Sequence, residues 1–279
     1  MPAKDVFQAA ADGDIQRLKN ILSRGFEINE GDADGYTLLH WTVQEGHEEL
    51  ATFLVGAGAN VNAKDIQEFT PLEVAINKGH SAIAKFLIEQ DSDLLSSRKG
   101  FTPLHAAAAK GDVLILSILM EKNVPLDSQD DDGKGYTPLH WAVQEGQIDC
   151  VKRLVTNGAD LSKQTESGFT PLYIAAGKGN AMLAEYLIQH GAEVNEPRGG
   201  ITPLMIASAF NHPQVVKVLL NNGAGTEIKD WQGKTALFYA AETFNEEVVN
   251  ILLKHGAKKD IVSSTGIKLA NLMGPYQTS

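Results

Sequence analysis

The sequence predicts an all-α solenoid in which antiparallel helix pairs stack side by side, joined by β-hairpin or turn fingers. Three observations predict it. Thr37, Thr70, Thr102, Thr137, Thr170, Thr202 and Thr235 succeed one another at spacings of 33, 32, 35, 33, 32 and 33 residues, a period that belongs to repeat architectures. Each is followed two residues later by Leu, and the five from Thr70 to Thr202 directly by Pro. A Thr hydroxyl can cap a helix, and Pro suits the first helical position, where its missing N–H has no intrahelical partner anyway. Beyond each start comes a Gly or Asn break, a second apolar-periodic run and a stop. The unit from Thr137 has Gly146 as the break, then Ile148, Cys150, Val151, Leu154 and Val155, then Asn157-Gly158-Ala159. Two short helices and a turn cannot bury their apolar faces alone, so the units must stack.

Taken in order, residues 4–33 form an N-terminal capping repeat. They keep the period without the Thr-Pro start, and Arg17 stands where later units have Leu50 and Ile83, as suits a unit with one neighbour. Residues 34–257 carry seven repeats. At the second-helix stop, Asp91 and Asn123 replace the expected Gly; Asn tolerates the left-handed conformation well and Asp less so. Glu73 stands three residues after Thr70, where it completes a reciprocal capping box. Pro213 falls near a helix start, where it is tolerated. The 35-residue spacing before Thr137 places the extra residues in 128–134, a polar stretch expected to make a longer finger. Residues 258–273 keep only the spacing and predict a short closing helix, and 274–279 a frayed tail. The whole of 1–279 thus reads as one repeat domain.

Composition narrows the function. A net charge of −11 disfavours nonspecific attraction to nucleic acid or anionic membrane. No apolar run approaches the roughly 20 residues of a membrane span, and residues 1–12 lack the basic start and apolar centre of a signal peptide. A cytosolic or nuclear place is expected. The single cysteine, Cys150, falls on an apolar helix position and reads as a buried structural thiol.

Thr-Pro-Leu-His followed by Ala one residue later, then a Gly, a Leu-Leu pair and Gly-Ala at a period near 33, resembles the ankyrin repeat over residues 4–273. The resemblance implies about eight repeats and a C-terminal cap fragment. It also implies a protein-binding adaptor, scaffold or inhibitor whose partner lies on the concave face of fingers and first helices. Asn62 and Asn195 occupy the position at which ankyrin proteins are often hydroxylated in animal cells.

No enzyme is predicted. Gly233-Lys234-Thr235 resembles the end of a phosphate loop, but the earlier Gly would fall at Ile228 and Thr235 is needed as a cap. Asp130, Asp132 and Gly133 resemble part of a calcium loop whose first ligand would be Ser128 and whose closing Glu would be Leu139. His40, His105 and His140 repeat at equivalent helix starts, whereas catalysis needs different groups converging at one place. No cofactor or metal is called for.

The concave positions that vary within the family are the residue before the capping Thr, the two before the turn Gly, and the pair before the first-helix break. Before the Thr stand Tyr36, Phe69, Phe101, Tyr136 and Phe169; large rings supply many interface hot spots, and they can equally lie flat against their own finger. Trp231, beside a turn, is a further candidate, while Trp41 and Trp141 read as partly buried between helices. Arg98, Lys99, Lys134 and Arg198 in the fingers, with Lys110 and Lys178 before the breaks, predict a basic band suited to acidic or phosphorylated partner segments. Nearer the N-terminus the same positions hold Asp34, Glu45 and Glu68. The alternative to a protein partner is a nucleic acid or a phosphorylated small ligand on that band, and regulation of an enzyme on another chain is a special case of the first reading.

Overall fold

A computed structural model describes residues 4–96, 98–131 and 133–272. The chain falls into two compact units, Met1–Asp132 and Gly133–Ser279. The first holds four helix pairs: α1 (Lys4–Ala11) with α2 (Ile15–Leu22), α3 (Leu38–Glu45) with α4 (Glu48–Gly56), α5 (Pro71–Lys78) with α6 (Ser81–Glu89), and α7 (Pro103–Lys110) with α8 (Val113–Glu121). The second holds α9 (Pro138–Gln144) with α10 (Ile148–Thr156), α11 (Pro171–Gly177) with α12 (Ala181–Gln189), α13 (Pro203–Ala209) with α14 (Pro213–Asn221), and α15 (Ala236–Glu242) with α16 (Glu246–Lys254), closed by α17 (Leu269–Leu272). The predicted all-helical repeat fold is therefore present, with α17 as the expected closing helix. Met273 and the tail lie outside the described residues.

The helices start where the Thr signals lie. Thr37, Thr70 and Thr137 have extended backbones, and their hydroxyls accept from the N–H of His40, Glu73 and His140. Thr235 departs from this. Its backbone takes the cap position, but its buried hydroxyl has no partner among the described residues. The third helical residue there is Phe238, whose ring cannot return the bond that His or Glu supplies.

First helices pack in rows, α1 on α3, α5 and α7 in one unit, and α9 on α11, α13, α15 and α17 in the other. Their small residues allow close approach, as with the buried Ala106, Ala107 and Ala108 of α7. Second helices bury one side, for instance Leu50, Ala51 and Leu54 of α4, and leave Glu48 and Glu49 exposed. In the capping repeat, half-buried Arg17 forms an ion pair with Asp5, so the polar residue in the apolar column has an answering charge. Asp91 and Asn123 both take left-handed φ values, 57° and 58°.

Side chains also tie each unit to the next. Asn62 Nδ2 gives a hydrogen bond to the Asp91 carbonyl at 3.3 Å, and its Oδ1 accepts from Asp93 N–H at 2.7 Å. Asn195 bridges Gly223 and Gly225 in the same way. His80 Nε2 pairs with the Gln44 carbonyl at 3.1 Å and His212 Nε2 with that of Gly177 at 3.0 Å.

The insertion lies in a finger, as expected: the connection before α9 runs 122–137, against 57–70 before α5. It is not wholly solvated, however. Asp130 is buried, and Asp131 N–H bonds the Lys99 carbonyl at 2.8 Å, bringing the stretch so close to Gly100 that a Cβ there would meet Gln129 O at 2.8 Å.

Candidate functional site

The five rings before the capping threonines are all half-buried. Most lie against the third residue of their own first helix. Tyr36 meets His40 at 5.1 Å, Phe101 meets His105 at 5.5 Å, Tyr136 meets His140 at 5.7 Å, and Phe169 stacks on Tyr173 at 4.9 Å. The histidines in turn reach outward: His40 Nε2 to the Phe69 carbonyl and His140 Nε2 to that of Phe169, each at 3.0 Å. The ring column is therefore part of the frame on one side.

Phe69 and Phe169 share a second feature, a guanidinium from the following finger. Arg98 lies 4.5 Å from the Phe69 ring centroid and Arg198 lies 4.6 Å from that of Phe169. Both arginines open two-residue hairpins closed by single bridges, Arg98 to Phe101 and Arg198 to Ile201. Lys99 and Gly199 then have φ of 48° and 53°, followed by Gly100 and Gly200 at 69° and 84°, as tight hairpin turns require. Arg198 Nε also bonds the Ser167 carbonyl at 2.6 Å.

The remaining cations divide. Lys134 places its ammonium 5.0 Å from the Trp141 ring and 5.9 Å from the Tyr136 ring. Lys99, Lys110 and Lys178 are exposed. Arg98, Lys99 and Lys110 belong to the first unit, and Lys134, Lys178 and Arg198 to the second.

Within the second unit, a cleft of about 540 Å³ brings Tyr136, Phe169, Lys178 and Arg198 together with Tyr173 and Phe210. Tyr173 and Phe210 are additions to the sequence reading. Phe210 is 60% exposed and stands eight residues after Thr202, as Lys110 and Lys178 stand after Thr102 and Thr170; reading that column for apolar residues as well as charge finds it. In the first unit Lys110 lines a separate cleft of about 470 Å³ with Lys78, Asn77 and Asp112. Lys78 fills the same column after Thr70. Trp231 is 74% exposed, on a finger fixed by Asp230, whose Oδ1 accepts from Gln232 and Lys234 N–H, each at 2.8 Å. Trp41 and Trp141 are half-buried.

Burial pushes the Tyr36 and Tyr173 phenols up from their ordinary value, as it does for Tyr239, where the carboxylate of Asp230 adds to the shift. Tyr239 OH donates to Asp230 Oδ2 at 2.6 Å, a bond that requires the phenol to keep its proton.

A family model for ankyrin repeats in three copies matches residues 6–98, 91–165, 130–198, 151–230 and 198–263. The fowlpox virus (strain NVSL) protein FPV031, described by name as an ankyrin repeat protein, is 39% identical over 99 residues, 34% of this chain and 29% of that protein. Neurogenic locus notch homolog protein 1 of Danio rerio is 35% identical over 115 residues, and that of Homo sapiens 34%; the match takes 40% of this chain and 5% and 4% of those proteins. The chain thus spans less than a third of the length of these relatives. Ankyrin repeats are in general protein–protein interaction modules and typically non-enzymatic, and among the described residues no helix is long and apolar enough to cross a membrane. The period, the paired helices and the matches from residue 6 to residue 263 agree, and the chain belongs to the ankyrin-repeat family.

Proposed function

We propose that this chain is a non-enzymatic adaptor, scaffold or inhibitor that binds a partner protein on the face made by its fingers and first helices. The observation that carries the reading is the second-unit cleft. There Phe169 and Phe210 present apolar surface beside the Lys178 ammonium and the Arg198 guanidinium. Large rings next to cations suit a segment with an apolar anchor flanked by a carboxylate or phosphate. Arg198 is held against Phe169, so it meets such a group already oriented, with less side-chain freedom to lose on binding.

The test is capture from lysate by wild type and by a Phe169→Ala/Phe210→Ala variant, after both give matching circular dichroism spectra. Loss of a captured protein in the variant supports the reading. Equal capture by both places binding elsewhere, and displacement of the partner by generic RNA or polyphosphate would favour a nucleic acid or phosphorylated ligand instead.

A further inference from the structure

Gly-Tyr-Thr, one variable residue, then Leu-His-Trp occurs twice, at 35–41 and 135–141. The structure builds the same aromatic corner both times. Tyr36 and Trp41 meet at 5.6 Å with an interplanar angle of 64°, and Tyr136 and Trp141 at 5.3 Å and 60°. At the second corner the chain's own Lys134 lies over both rings. At the first, the residue two before the Tyr is Asp34, and among the described residues no Lys or Arg lies over Tyr36 or Trp41.

The surroundings differ in the complementary sense. Trp41 Nε1 donates to Asp32 Oδ2 at 2.9 Å, while Asp32 Oδ1 accepts from the N–H of Asp34 at 3.0 Å and of Tyr36 at 2.9 Å. One carboxylate is thus locked beside the indole, and the exposed Asp34 adds a second. A cleft of about 650 Å³ lies here, with Phe7, Ala11 and Trp41 as apolar wall and Asp32 and Asp34 as acidic lining. An amphipathic cation fits both parts: its alkyl stem lies along the apolar wall and its charge sits between ring and carboxylate.

We propose that this corner receives a lysine or arginine side chain of a partner protein, carried in a segment with apolar neighbours. Lys134 over Tyr136 and Trp141 is the intramolecular precedent for the pose. The inference concerns the first unit and does not rest on the second-unit cleft; either stands if the other fails.

The test follows the three Trp indole N–H signals of the 15N-labelled full chain, assigned by Trp→Phe variants, during titration with the capped peptide acetyl-Ala-Leu-Lys-Leu-Ala-amide. The expected result is saturable movement of the Trp41 signal, with those of Trp141 and Trp231 still, and at least tenfold weaker binding when Gln replaces the peptide's Lys. Asp34→Lys, which puts an ammonium where the second copy has one, should weaken binding at least tenfold. Asp34→Asn, nearly the same shape, should weaken it severalfold. Equal response to the Gln peptide, wild-type affinity in both Asp34 variants, or a Trp141 shift as large as that of Trp41 would each overturn the proposal.

Discussion

At the third position of α3, the Thr37 backbone N–H points at His40 Nδ1 from 3.2 Å. An N–H can only donate, so Nδ1 carries no proton and Nε2 gives its own to the Phe69 carbonyl. Burial pushes the pKa of this imidazole down, and the neutral form is the one both bonds need. Glu73 holds the same place in α5 with a carboxylate. Its Oε2 accepts from Thr70 N–H at 2.8 Å and Thr70 Oγ1 at 3.0 Å, while Oε1 has no partner among the described residues. Burial raises its pKa above the ordinary 4.5, opposed by the Thr70 hydrogen bonds. A raised carboxyl stabilises the fold fully below its unfolded pKa, and that contribution is lost as pH rises through the folded value. Glu73→Gln should therefore gain stability relative to wild type between pH 4.5 and pH 7; urea unfolding at both values checks this, and a pH-independent difference would contradict it. A neighbouring residue tests backbone strain. Glu68 has φ of 67° where Gly35, Gly168 and Gly233 have 77°, 78° and 73°. A side chain costs roughly 1–2 kcal/mol in that region, partly offset by the extra freedom glycine has when unfolded. Glu68→Gly should raise stability by about 0.5–1 kcal/mol in the same assay.

At the scale of the element, finger length selects finger chemistry. In 33-residue units the residue five before the capping Thr closes the loop: Asp65 Oδ1 accepts from Gln67 and Phe69 N–H, each at 2.8 Å, Asp230 does the same in its finger, and before Thr170 the Thr165 hydroxyl accepts from Phe169 N–H at 3.0 Å. The units reaching Thr102 and Thr202 are one residue shorter, and each makes the tight hairpin that lays its arginine over the preceding Phe. Arg198→Ala should cost about 1 kcal/mol, from an exposed cation–π contact worth roughly 0.5–1 kcal/mol and the bond to Ser167. Arg198→Lys should recover only part, because an ammonium cannot stack as a planar guanidinium does. Chemical denaturation of the three proteins decides it. The caps, breaks and stops were legible because each rests on residues close in sequence. The 32-residue spacings stand in the sequence too, but the tight hairpins they produce were not read from them. The engagement of Arg98 and Arg198 was not legible, since the rings they cover stand 29 residues earlier and only stacking brings them together. The same holds for Thr235, whose lost hydroxyl bond depends on burial around Phe238, and for the cleft that gathers Tyr136, Phe169, Arg198 and Phe210 from successive repeats, which stacking alone brings together.

At the scale of the whole molecule, the period specifies which helix lies beside which, and leaves the recognition surface to residues the period does not constrain. Stability in such an array resides in each helix pair and its contacts with immediate neighbours. The first unit shows those couplings in polar form as well as apolar: Asn29 and Asn62 reach the next loop, His47 and His80 reach back to the previous first helix, and Ser81 Oγ donates to Asp112 at 2.6 Å. Leu54 is fully buried in α4, which packs on α3 and α6. Leu54→Ala should cost about 3 kcal/mol through lost burial and the cavity left behind. The cost should not spread evenly. Hydrogen exchange should quicken first in α3 and α4, next in α5 and α6, whose packing and Asn62 and His80 bonds tie them to the damaged pair. Helices α15 and α16 share no neighbour with α4 and should keep their protection at denaturant concentrations that already open the first unit. A uniform acceleration from α3 to α16 would instead mean that the chain opens as one cooperative block, with coupling between neighbours stronger than the stability of any single pair.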